Sequence, residues 1–105
     1  MEKLNFTFKA PTVAGGTRAQ AIAGVVASGN LEVLVERCLP AGTCTIDIAT
    51  AAHGFGAVWE AVVTDFVARC ATGGLRLSIN DGGARPDTVA LRLAQSVRLI
   101  EEPEA

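Results

Sequence analysis

Phe55, Val58, Trp59, Val62, Val63, Phe66, Val67 and Cys70 recur at spacings of three and four, and Gly73-Gly74 ends the run. That spacing lays an apolar stripe along one face of a helix, and the stripe has to be buried against something. The rest of the chain supplies candidates. Leu4, Phe6 and Phe8 alternate with polar Asn5 and Thr7. Leu31, Val33 and Val35 alternate with Glu32, Leu34 and Glu36, and Cys44, Ile46 and Ile48 with Thr43, Thr45 and Asp47. Leu75, Leu77 and Ile79 form one more such set. A period of two is the mark of a strand with one buried face. Pro86 at a first helical position, with Asp87 in the first turn, opens a final helix through about Ile100. Its apolar face is Val89, Leu93, Val97 and Ile100.

Turn chemistry divides these runs. Residues 11–17 carry Pro, Thr and Gly15-Gly16 and read as a loop. Residues 22–27 are a short β-tolerant apolar run, and Ser28-Gly29-Asn30 follows it as a turn. Two apolar runs around such a turn predict a hairpin, because Gly and Asn tolerate positive φ. Leu39-Pro40-Ala41-Gly42 breaks the chain, and the runs 31–37 and 43–49 are expected to pair as a second hairpin. The strand–helix–strand segment 43–79 offers one parallel pair by right-handed crossover. The order is β, β, β, β, α, β, α. It predicts an α+β fold: a mostly antiparallel sheet of four to five strands built from hairpins, with two helices packed on one face. The length suits a single domain over 1–105, with an acidic tail frayed from about residue 101.

Half of the 105 residues are apolar and 19% are charged, ordinary globular material with a formal net charge of −2. There is no basic footprint for nucleic acid and no run of roughly 18 apolar residues for a membrane span. The N-terminus has no apolar signal region, so the expected compartment is the cytoplasm. Three cysteines (Cys38, Cys44, Cys70) without C-x-x-C spacing indicate neither a disulfide framework nor zinc, and free thiols are expected. His53, the only histidine, stands beside Gly54 in a loop and joins no serine–acid or metal-ligand pattern. Asp47, Glu60, Asp65 and Asp81 fall on different elements. Gly54-Phe55-Gly56 before a helix lacks the third glycine and acidic partner of a nucleotide fingerprint and reads as a flexible helix entry. Trp59 belongs to the helical stripe and so to the core. Nothing here assembles a catalytic set.

Ser28 stands out by its setting. A serine at a hairpin tip has an exposed hydroxyl, and Gly29 beside it has no side chain to obstruct a visiting enzyme. Those conditions suit post-translational attachment of a bulky phosphodiester. The block Ala23-Gly24-Val25-Val26-Ala27-Ser28-Gly29-Asn30-Leu31-Glu32-Val33-Leu34 resembles the carrier-protein (delta subunit) family of malonate decarboxylase, which is related to the acyl carrier subunit of citrate lyase. The resemblance continues through Gly54-Phe55-Gly56-Ala57-Val58-Trp59-Glu60-Ala61-Val62, Ile79-Asn80-Asp81-Gly82-Gly83-Ala84 and Leu91-Arg92-Leu93-Ala94-Gln95. It thus runs in order along nearly the whole chain, and the Trp59 block favours the malonate branch.

The resemblance implies a non-catalytic acyl carrier. Ser28 matches the serine that carries 2′-(5″-phosphoribosyl)-3′-dephospho-CoA through a phosphodiester, with Gly29 and Asn30 as its turn context. The arm's thiol would hold acetyl and malonyl groups while malonate is decarboxylated to acetate and carbon dioxide. The implied partners are an acyltransferase (alpha) subunit, decarboxylase (beta and gamma) subunits and the transferase that installs the arm. One departure is Asn30, where the family turn usually has Asp. The alternatives are a citrate lyase-type carrier with the same arm and an unmodified structural subunit of such a complex. The Asp-Ser-Leu signature of four-helix carriers is missing.

Overall fold

A computed structural model describes residues 1–103. Five strands and two helices follow in the order β1 (Glu2–Ala10), β2 (Gln20–Gly24), β3 (Leu31–Arg37), β4 (Gly42–Thr50), α1 (Gly56–Arg69), β5 (Leu75–Asp81) and α2 (Pro86–Glu101). The strands form one sheet in the order β1-β4-β5-β3-β2. Three of its pairings are antiparallel, and β4–β5 is parallel. The fold is α+β as expected, with a mixed sheet.

Register explains the layering. Phe6, Ile46, Leu77, Val35 and Ala21 line up across the sheet on one face. Asn5, Asp47, Ser78, Leu34 and Ile22 line up on the other. The first face is the core: Leu31, Val33, Val35, Ile46, Leu75 and Leu77 are fully buried. Trp59, Val63 and Phe66 of α1 close over it, with Val89, Leu93, Val97 and Ile100 of α2. Pro86 opens α2 with Asp87 in the first turn, as the sequence requires.

Three expectations change. The second hairpin, 31–37 with 43–49, does not form, because β5 lies between β3 and β4 and pairs with both. The 38–41 link is held by the start of β5: Cys38 N and Leu39 N donate to the Gly74 carbonyl, and Gly74 N donates to the Thr43 carbonyl. The apolar run 22–27 is strand only as far as Gly24, whose φ of 77° turns the chain and leaves Val25 and Val26 exposed. Phe55 is the N-cap of α1, half exposed, so the buried stripe starts at Trp59. Of the acidic tail, Glu101 closes α2 and Arg18 donates to the carbonyls of Glu102 and Pro103; residues 104 and 105 lie outside the described residues. No helix among the described residues is long and apolar enough to cross a membrane.

Candidate functional site

The connection from β2 to β3 covers residues 25–30. Asn30 N donates to the Ala27 carbonyl at 3.0 Å, which closes a turn with Ser28 and Gly29 at its corners. Gly29 has φ 73° and Ser28 a negative φ, the sign pattern of a type II turn, whose second corner favours glycine. Ser28 is exposed. A Cβ built on Gly29 would meet nothing within 4 Å, so the space beside the serine is open.

A second turn braces the first. Gly29 N donates to the Gly82 carbonyl at 3.1 Å, and Gly82 N donates to the Asn30 carbonyl at 2.9 Å. The approach is so close that a Cβ on Gly82 would stand 2.2 Å from the Ala27 carbonyl oxygen. Asp81, buried between the sheet and this turn, shapes it from below. Its Oδ1 accepts from Ala84 N at 2.9 Å and its Oδ2 from the Thr50 hydroxyl at 2.8 Å, while Ala52 N donates to Thr50 Oγ1. The serine turn is therefore bolted to β5, and through Asp81 to the end of β4. In sequence, Asp81-Gly82-Gly83-Ala84 has the composition of a turn and no more. An Asp leading Gly-Gly is the signal that could have marked it as a carboxylate-locked turn.

Asn30 is the second brace. Its Oδ1 accepts from Leu31 N at 2.8 Å and from Arg92 Nε of α2 at 3.3 Å. Arg92 Nη1 donates in turn to Gln95 Oε1 at 3.1 Å. The separated blocks 23–34, 79–84 and 91–95 thus converge on Ser28. The fourth block, around Trp59, lines a groove on the far side of the 81–84 turn. Phe55, Val58, Trp59 and Val62 of the α1 entry face Gly83, Ala84, Pro86 and Val89 across an apolar cavity of about 300 Å³. Its wall at Gly83 adjoins the glycine that holds the serine turn.

The other titratable groups do not gather. Asp47 pairs with Arg76, Asp65 with Arg69, and Glu60 is exposed on α1. His53 is exposed beyond the C-terminal end of β4. Cys44 lies near the start of that strand, about 20 Å away along it, so no Cys–His pair forms. All three cysteines are free thiols. Burial pushes the Cys44 thiol up, offset only in part by the nearby Thr72 hydroxyl, and burial also raises Cys70. Among the described residues no cluster of His, Cys, Asp and Glu could hold a metal.

The geometry is that of an exposed serine on a turn braced from two sides. The chain belongs to the malonate decarboxylase delta subunit (MdcD) family, whose model matches residues 18–100. The malonate decarboxylase acyl carrier protein of Bradyrhizobium diazoefficiens is 65% identical over 102 residues, 97% of each chain. That of Xanthomonas axonopodis pv. citri is 50% identical over 105 residues, 100% of each chain. A chain in the crystal structure of a Pseudomonas malonate decarboxylase hetero-tetramer in complex with malonate superposes with a TM-score of 0.83. It is 35% identical, and the match covers 95% of this chain and 99% of that one. The Bradyrhizobium and Xanthomonas relatives are named acyl carrier proteins, and this chain is a carrier subunit with them.

Proposed function

We propose that this chain is the acyl carrier subunit of a malonate decarboxylase and that Ser28 bears its prosthetic group, 2′-(5″-phosphoribosyl)-3′-dephospho-CoA, bonded as a phosphodiester through Oγ. The observation that carries the reading is the Ser28 turn itself: exposed, flanked by a glycine with open space around it, and fixed to the body of the protein through Gly82 and Asn30. These residues fit the group, because Ser28 is exposed and the space beside Gly29 is open to a bulky phosphodiester. When bound, the group supplies a thiol that holds acyl groups as thioesters. Ser28 contributes the bonding oxygen, Gly29 the clearance, and Gly82, Asp81 and Asn30 a firm base for the tether. A tether makes each delivery intramolecular, at an effective concentration on the order of millimolar. The partners that follow are an acyltransferase (alpha) subunit, the decarboxylase (beta and gamma) subunits and the transferase that installs the arm. The cytoplasm is the compartment this reading requires.

Ser28→Ala tests it. The hydroxyl is exposed, so stability should change by no more than about 0.5 kcal/mol. Intact mass of the subunit from its native host should show the arm on the wild type and on Thr43→Ala, and none on Ser28→Ala. The Ser28→Ala complex should assemble and fail to turn over malonate. Finding the arm on another residue, or turnover by the folded Ser28→Ala complex, would sink the assignment.

A further inference from the structure

Arg92 is a half-buried cation that forms no ion pair with a carboxylate among the described residues. Among the described residues, ion pairs engage Arg18, Arg69, Arg76 and Arg85. Arg37, also unpaired by acid, is saturated by backbone carbonyls. Among the described residues Arg92 has only Asn30 Oδ1 at 3.3 Å and Gln95 Oε1 at 3.1 Å, both neutral amide oxygens. A guanidinium carries five donors, and these bonds use two of them. Drawing such a charge partly out of water is unfavourable unless an opposite charge joins it.

Its place is specific. A Cβ on Gly24 would stand 3.1 Å from Arg92 Cδ and 3.2 Å from Nε. Gly24 ends β2, and Asn30 ends the same connection on the β3 side. The guanidinium therefore sits between the two ends of the Ser28 loop, clamped in position but not neutralised.

We propose that Arg92 is the anion receptor of this site and that its ligand is the phosphate bonded to Ser28. The proposal rests on the reading of Ser28 as the attachment serine. Arg92 is a positioning residue: it meets the phosphate at the root of the tether and fixes the direction in which the arm leaves. Asn30 then has a role beyond the turn. Being neutral, it aims the guanidinium without occupying its charge. An aspartate there would keep both acceptor bonds but hold the cation as an ion pair, in competition with the phosphate.

The test compares unmodified and modified protein, each verified by intact mass, for the wild type, Arg92→Gln, Arg92→Lys and Asn30→Asp. Modification should raise the wild-type Tm by about 4 °C or more, the shift expected when a small domain gains one charge-assisted contact. The gain should shrink in high salt. It should vanish in Arg92→Gln, survive in part in Arg92→Lys, which keeps the charge without the fork, and be smaller in Asn30→Asp. Should Arg92→Gln not fold, the Arg92 Hε resonance of the wild type decides: movement on modification supports the contact, and an unmoved signal overturns it. An equal Tm gain in wild type and Arg92→Gln would show that Arg92 only buttresses the turn. A native-host protein unmodified at Ser28 would overturn this proposal and the attachment reading together, whereas an arm present without an Arg92 response overturns this proposal alone.

Discussion

Ser28 owes its position to residues far along the chain. The turn around it needs a positive φ at Gly29, but that local conformation does not fix the turn to the body of the protein. What holds it is Gly82, whose amide and carbonyl bond Asn30 and Gly29 with no room for a side chain between the two backbones. Gly82→Ala should therefore act at a distance. With a Cβ 2.2 Å from the Ala27 oxygen, the two turns have to part and both hydrogen bonds are lost. The expected cost is about 1–3 kcal/mol in urea denaturation. Hydrogen exchange at Gly29 and Asn30 should rise well above the wild type while the core strands stay protected. Unchanged protection at those two amides would show that the serine turn stands by itself. This also marks the limit of sequence reading at this scale. Ser28, Gly29 and Asn30 were legible because turn chemistry is local. Asp81, Gly82 and Arg92 were not, because nothing in a stretch of sequence says which distant turn packs against which.

Elements divide in the same way. α2 was readable at its start, since Pro86 and Asp87 act through the first turn of their own helix. The alternating strands were readable because a buried face imposes period two. Partner choice was not: β5 separates β3 from β4, and period two does not encode a neighbour. The end of β2 was misread because Val25 and Val26 look like strand, while the chain direction is set by the positive φ of Gly24. The stripe on α1 was readable in its middle and misleading at its start. Trp59 is 6% exposed and Phe55 51%, although periodicity places both on one face. Trp59→Ala should cost about 3–5 kcal/mol. Phe55→Ala should cost under about 1 kcal/mol, because Phe55 precedes the first helical turn and lines the open groove instead. Equal losses for the two variants, by chemical denaturation, would mean that the stripe is continuous after all.

For the whole molecule, the central question is how a segment with little apolar content is kept on a small core. Residues 11–17 carry Pro, Thr and Gly and read as plain loop, yet they are hydrogen-bonded to distant backbone. Ala14 N donates to the Gly73 carbonyl and Gly73 N to the Thr12 carbonyl. The main anchor is Arg37 at the end of β3. Its Nε donates to the Arg18 carbonyl at 2.9 Å, its Nη1 to the Ala14 carbonyl at 2.9 Å, and its Nη2 to the Gly15 carbonyl at 2.7 Å and the Ile100 carbonyl at 3.2 Å. One guanidinium thus joins the sheet, the loop and the last turn of α2, where a cation also suits the helix dipole. Arg37→Met keeps the length of the apolar stem and removes every one of these donors. It should destabilise the protein by about 2–4 kcal/mol, since charge-assisted bonds are lost and partly buried carbonyls are left without partners. Arg37→Lys should recover only part of this, because a compact ammonium cannot reproduce the planar fork. The loss should be uneven. Hydrogen exchange should rise over 12–19 and the last turn of α2, while the Ser28 turn, at the other end of β3, keeps its protection. A uniform loss of protection across the chain would instead show that the loop folds as one unit with the core, and that Arg37 anchors both.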